Sequence, residues 1–158
     1  AKYLEIMGKL FTMDSSVLKV FMVMALAPGF FEEYMFRGFM MRFFEKYGDK
    51  AAIIITAFLF AAFHLDPFRF VPVFLLGLLL GYLTLRSGSI VNSMLSHTIN
   101  NGLALVLVTY GGSSWLKPLI SGKDELHYWV LIPALVVFTI AIYLFHKVTE
   151  KGVPQCAE

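Results

Sequence analysis

Three groups of polar residues interrupt strongly apolar runs of this chain: Glu32-Glu33-x-x-x-Arg37, Phe60-x-x-x-His64 and His97-x-x-x-Asn101. An ionisable side chain at bilayer depth costs about 2.5–3.5 kcal/mol on insertion scales, so such groups face a bundle interior or a wet cavity. Carboxylate, imidazole and amide together are equipment for activating water. The first accepts a proton, the second holds or moves one, and the third donates N–H bonds to a developing oxyanion.

Spacing divides the labour among these residues. Glu33 and Arg37 are four apart and can pair along one helix face. Glu32 points about 100° away from that pair, which leaves it as the uncommitted carboxylate and the candidate general base. The plainer reading is two charges at a helix break reaching the interface. A single buried histidine is more often a satisfied core residue than a reactive one. Two of them, His64 and His97, beside the carboxylates and Asn101, favour a site. Asn101 lies one turn beyond His97 and faces the same way.

Two schemes stay open at this point. Glu32, His64 and His97 could give a three-ligand zinc site, although the helical His-Glu-x-x-His signature is absent. A cofactor-free site needs Glu32 as base, His64 to assist water, and His97 with Asn101 to hold the oxyanion. With no third histidine and no second uncommitted acid in the pattern, the cofactor-free scheme is favoured.

The elements that must position these groups read as helices in a membrane. Of 158 residues, 58% are hydrophobic and 15% charged, and mean hydropathy is +0.73. That is more apolar and less charged than a soluble domain. The expected fold is all-α, a polytopic membrane bundle of about five transmembrane helices forming a single domain over 1–158. The lead-in is 1–13, with N-caps at Asp14, Ser15 and Ser16, and the polar tail is 151–158. Helices are expected over about 17–44, 51–64, 70–85, 90–110 and 128–145. Pro28-Gly29 predicts a kink, either an ordinary membrane-helix bend or one that, with the missing Gly29 side chain, opens space beside the carboxylates, and Asp66-Pro67 closes the second helix.

Gly77 and Gly81 have the small-x-x-x-small spacing that lets helix backbones approach, read here as packing without chemistry. In the fourth helix Ser89, Ser93, His97 and Asn101 recur every four residues and make one polar stripe. The fifth is apolar and reads as a lipid-facing wall. His127 and His146 flank it, and Trp115 and Trp129 suit the aromatic belt.

A net charge of +2 is too small and scattered for a nucleic-acid partner. The lone Cys156 excludes an internal disulfide. The start, Ala1-Lys2-Tyr3-Leu4-Glu5, has no initiator methionine and no signal-like apolar core, the pattern of a core cut from a longer protein. Apart from Arg37, the positive charges divide six against six between the two sides, which leaves orientation open.

The three motifs, in this order on successive apolar helices, resemble the CPBP family. These intramembrane proteases include the type II CAAX prenyl endopeptidases and bacterial immunity-type homologues. The likeness spans Glu32 to Asn101. It implies that Glu32 activates water, that Glu33 and Arg37 support it, that His64 orients the water, and that His97 and Asn101 stabilise the oxyanion. It also implies hydrolysis of a peptide bond in a lipidated or membrane-embedded substrate, in a prokaryotic plasma membrane or the endoplasmic reticulum. Membrane lipids and a lipidated or membrane-bound peptide are the expected partners, and oligomeric state stays open. The alternative is a non-proteolytic immunity or scaffold protein of the same family. A proton-coupled transporter is disfavoured, because no internal repeat is visible.

Overall fold

A computed structural model describes residues 17–110, Ser113 and 128–150. The expected lead-in, its N-caps, Trp115, His127, Cys156 and the polar tail lie outside the described residues, as does the side chain of Trp129. The chain separates into two compact units, Ala1–Leu105 and Val106–Glu158. Every described residue in regular structure is helical.

The first rod, α1, covers residues 17–44 and alternates between two kinds of turn. Ordinary α segments Val17–Phe21, Ala27–Glu33 and Met41–Phe44 are separated by π segments Met22–Leu26 and Tyr34–Met40. A 3₁₀ turn, Glu45–Tyr47, closes it. Proline explains the first π segment. Pro28 has no N–H, and its ring crowds the carbonyl four residues back. The wide turn just ahead lets the Ala27 N–H bond to Met22 O, five residues back. The rod therefore continues through the proline.

Gly48, at φ +93°, turns the chain into α2, Asp49–Phe63. That helix begins two residues earlier than expected. It is fifteen residues long, and His64 caps its C-terminal end within the half-buried layer. Leu65 follows at φ +51°, a left-handed residue that stops the helix before Asp66-Pro67 is reached. Asp66 Oδ1 then accepts the Phe68 N–H at 3.0 Å and fixes the connector. Helix α3 is Phe70–Ser87, ended by Gly88 at φ +67°. Helix α4 is Ile90–Tyr110. Ser89 caps it, its Oγ accepting the Val91 N–H at 3.2 Å. Its residues from Val106 onward belong to the second unit.

The second unit contains α5, Tyr128–Glu150, with Pro133 inside it. Its window Ile132–Thr149 is apolar, with a mean hydropathy of 1.8. Among the described residues, this window and Phe70–Ser87 are long and apolar enough to cross a membrane by length and composition. The other rods miss that test for visible reasons. Helix α1 is broken into short segments, α2 is short, and the polar stripe of α4 lowers its hydropathy.

The first unit is inverted relative to a soluble protein. Glu33 and Arg37 are completely buried, while Phe31, Phe39 and Ile99 are about 70% exposed (68%, 73% and 68%). Exposed large apolar side chains cover α1 to α4, a surface suited to hydrocarbon. Hydroxyls hide their polarity inside their own helices. Thr56 Oγ1 donates to Ala52 O at 2.7 Å, and Thr84 Oγ1 to Leu80 O at 3.0 Å. One apolar cluster, Phe36, Phe60, Ala61 and Val73, binds α1, α2 and α3 together.

Candidate active site

Helices α1 and α4 can meet because Gly29 has no side chain. A Cβ there would collide with Thr98 Oγ1 and lie 3.1 Å from both Met94 O and Thr98 N. The expected open space at Gly29 is therefore corrected. The glycine admits the backbone of α4, which brings His97 against the carboxylate doublet one turn further along α1.

Arg37 sits at the centre, fully buried, and touches three helices. Its Nη1 donates to Glu33 Oε1 at 2.7 Å, the pairing that the four-residue spacing predicts. Its Nη2 donates to the carbonyl of Gly77 on α3 at 2.9 Å. Its guanidinium carbon lies 4.6 Å from the ring centroid of Phe60 on α2. Gly77 therefore does more than pack, which corrects the reading of its motif as chemically silent. Its own Cβ would sit 2.9 Å from Ala57 Cα. The close α2–α3 approach places the carbonyl that Arg37 uses.

Glu33 Oε1 accepts a second bond, from His97 Nδ1 at 2.9 Å. An ionised carboxylate only accepts, so the His97 proton is on Nδ1 and its Nε2 is left for the site. That nitrogen lies 4.0 Å from Glu32 Oε2. The gap is too long for a hydrogen bond, but one water can bridge it with two bonds of about 2.8 Å. Glu32 Oε2 is buried and has no hydrogen-bond partner among the described residues, while the whole carboxylate side chain is 26% exposed.

His64 is fixed in the same sense. Its Nδ1 donates to Phe60 O at 2.8 Å, satisfying a carbonyl that the end of α2 leaves over and again freeing Nε2. The Phe60 ring packs edge-on to both imidazoles, at 4.8 Å from His64 and 5.6 Å from His97. A cavity of about 160 Å³ opens here. His64, His97, Asn100 and Asn101 supply its polar wall, and Pro72, Val73 and Leu76 its apolar wall, with Phe60 between them and Arg69 also lining it. Asn101 Oδ1 accepts from Asn100 Nδ2 at 3.3 Å, so the Asn101 amide NH₂ is the group left to donate.

The predicted residues thus fall into place in different ways. Arg37 and His97 are both bonded to Glu33, and His64 and Asn101 line the cavity with His97. Glu32 borders His97 and is not part of the cavity lining. Among the described residues, no three His, Cys, Asp or Glu side chains gather as a metal-ligand set. Glu32, His64 and His97 form no such triad, and no step is routed through a metal. Sequence reasoning missed the Glu33–His97 bond, the Gly77 carbonyl and the presence of Arg69 in the cavity. The small-residue motif was a usable signal for Gly77. The other two join residues distant in the chain.

A buried carboxylate–guanidinium–imidazole network inside an apolar helical exterior defines a membrane protein built round a polar site. Residues 14–103, more than half the chain, match the family described as type II CAAX prenyl endopeptidase Rce1-like. The chain belongs to that family, whose activity at the family level is CAAX-type intramembrane proteolysis. No curated protein and no solved structure matches it.

Proposed function

We propose that the protein is an intramembrane endopeptidase that cleaves a CAAX-type prenylated or membrane-embedded peptide with a glutamate-activated water and no cofactor. The observation carrying this reading is the buried Glu32 Oε2, without a hydrogen-bond partner among the described residues and 4.0 Å from His97 Nε2. A water held between them gives its proton to Glu32 as its oxygen attacks the peptide carbonyl carbon. His64 Nε2 accepts the water's second hydrogen and orients it. His97 Nε2, when protonated, and the Asn101 amide donate to the oxygen that becomes negative. Glu32 then passes its proton to the leaving nitrogen, the C–N bond breaks, and a carboxylic acid and an amine depart. Glu33 acts through His97, whose ring it fixes, and Arg37 offsets the charge of Glu33. The membrane is a prokaryotic plasma membrane or the endoplasmic reticulum.

The test is cleavage of a farnesylated peptide by purified protein, with and without a strong zinc chelator. Turnover is expected in both conditions. Glu32→Ala is expected to lower it by about 10²–10⁴-fold while the protein stays folded by circular dichroism. Persistent cleavage by Glu32→Ala removes Glu32 as the base, and loss of turnover on chelation removes the cofactor-free scheme. The non-proteolytic alternative gains if the wild type cleaves no such peptide.

A further inference from the structure

A second, larger cavity lies at the start of α4, about two helical turns before His97. Its volume is about 460 Å³, within the range of roughly 300–1,000 Å³ that ligand pockets occupy. No residue of the proposed chemistry lines it. One wall is α1, where Tyr34, Gly38 and Arg42 recur every four residues and share a face. The other is the α3–α4 turn at Gly88 and Ser89, followed by Ile90.

Two glycines shape this space. A Cβ on Gly38 would meet only the Tyr34 ring and Ile90 Cδ1, at 3.8 and 3.9 Å, which is ordinary contact. A side chain there would fit between these two walls and fill the cavity. A Cβ on Gly88 would meet nothing within 4 Å, so the rim is open.

The cavity is polar at one end and apolar at the other. Arg42 is the one charged residue that lines it. It stands just before the polar turn 45–50, opposite Gly88 and Ser89, so both walls reach the end of the bundle together. The Arg42 side chain is 62% exposed, and its Nε is 3.8 Å from Glu45 Oε1, too long for a hydrogen bond. That loose pair leaves the guanidinium donors for an outside oxyanion. Eight residues of α1, about 12 Å, separate Arg42 from Tyr34. Over that length Phe39, Ile90 and the Tyr34 ring are the apolar surface, with Tyr34 and Phe39 exposed on the side suited to hydrocarbon.

An occupant must therefore carry an anion beside an apolar chain. A guanidinium takes phosphate oxygens through two parallel N–H bonds. Inorganic phosphate alone would leave the apolar length unfilled, and a peptide would lay backbone amides against a wall with few partners for them. We infer that this cavity binds an anionic phospholipid, its phosphate on Arg42 and the upper part of an acyl chain over Gly38, between Tyr34 and Ile90. The bound lipid joins α1 to the start of α4, the two helices that carry the carboxylate doublet and His97. The inference does not depend on the proteolytic reading, and either can fail without the other.

The test is native mass spectrometry of the full chain released from detergent micelles, with phosphatidylglycerol, phosphatidylcholine or inorganic phosphate added. Wild type is expected to hold phosphatidylglycerol about 10-fold more tightly than phosphatidylcholine, whose choline cation competes with Arg42 for the phosphate. Inorganic phosphate is expected not to displace the lipid. Arg42→Gln is expected to weaken phosphatidylglycerol binding about 10-fold and to erase the preference, as suits a lost hydrogen bond between charged groups. Gly38→Leu is expected to weaken both lipids. Lys46→Gln is the control for surface charge: Lys46 lies at the same end, over the Phe43 and Tyr47 rings and outside the cavity lining, and its loss is expected to leave binding unchanged.

Equal retention of the two lipids by wild type overturns the inference, as does displacement by inorganic phosphate. Equal weakening by Arg42→Gln and Lys46→Gln also overturns it, because surface charge alone would then account for the binding. If circular dichroism shows that Gly38→Leu does not fold, Arg42→Gln, a change at an exposed side chain, decides the matter.

Discussion

Replacing Gly77 with alanine tests whether helix packing and guanidinium placement are one device. The added Cβ would lie 2.9 Å from Ala57 Cα, 3.0 Å from its Cβ and 3.3 Å from its carbonyl oxygen. Relaxed carbon–carbon contact is about 3.5–4.0 Å, so α3 must withdraw from α2 by roughly 0.6–1 Å. The Arg37 Nη2–Gly77 O bond is 2.9 Å, and the same shift stretches it to about 3.5 Å or more, beyond hydrogen bonding. Overpacking costs about 1–3 kcal/mol, and losing a hydrogen bond to a charged group about 1.5–3 kcal/mol. Alanine's better helix propensity returns about 1 kcal/mol. The expected net loss is about 1.5–5 kcal/mol.

Gly81→Ala is the control, since it belongs to the same motif. Its Cβ would meet only Ile53 side-chain atoms, at 3.2, 3.4 and 3.6 Å, and that side chain can shift by a few tenths of an ångström. Its stability should stay within about 1 kcal/mol of wild type. Equilibrium unfolding by sodium dodecyl sulfate in mixed micelles, followed by circular dichroism, measures both variants. Equal stability of Gly77→Ala and Gly81→Ala would refute the coupling.

Further outcomes rest on the same geometry. Arg37→Met should cost about 3–5 kcal/mol because it leaves Glu33 charged and buried. Glu33→Gln/Arg37→Met should cost less than the two single changes combined, so additive losses in the double-mutant cycle would sink the pairing. Asn101→Ala should lower kcat by about 10²–10³-fold with little change in KM, as for a lost oxyanion donor. A change in KM alone would assign Asn101 to substrate binding instead.

Local features were legible in the sequence. Four-residue spacing announced the Glu33–Arg37 bond and the polar face of α4, whose outer side is exposed at Val91, Leu95, Ile99 and Leu103. Apolar runs and their glycine, proline and serine punctuation gave the five helices to within a few residues. The π segments of α1 were not legible, because the apolar pattern is the same for either kind of turn. Nor was the bond between Glu33 and His97, 64 residues apart, since nothing in one chain's spacing records which face of α1 meets α4. Gly29 shows the limit of local inference. Its missing side chain was visible, but whether solvent or another backbone fills the space depends on a distant helix.

Arg37 engages α1, α2 and α3 directly and reaches α4 through Glu33. In a bilayer, lipid tails are as apolar as leucine, so oily side chains alone do not draw helices together. The same ionic knot therefore helps assemble the bundle and hold its imidazole in place. Removing Glu33 or Arg37 is therefore expected to loosen the whole architecture, whether or not the chain cuts peptides. Glu32, whose inward oxygen accepts no hydrogen bond among the described residues, carries less of that structural duty, and its presence or loss is the truer marker of whether the chemistry survives.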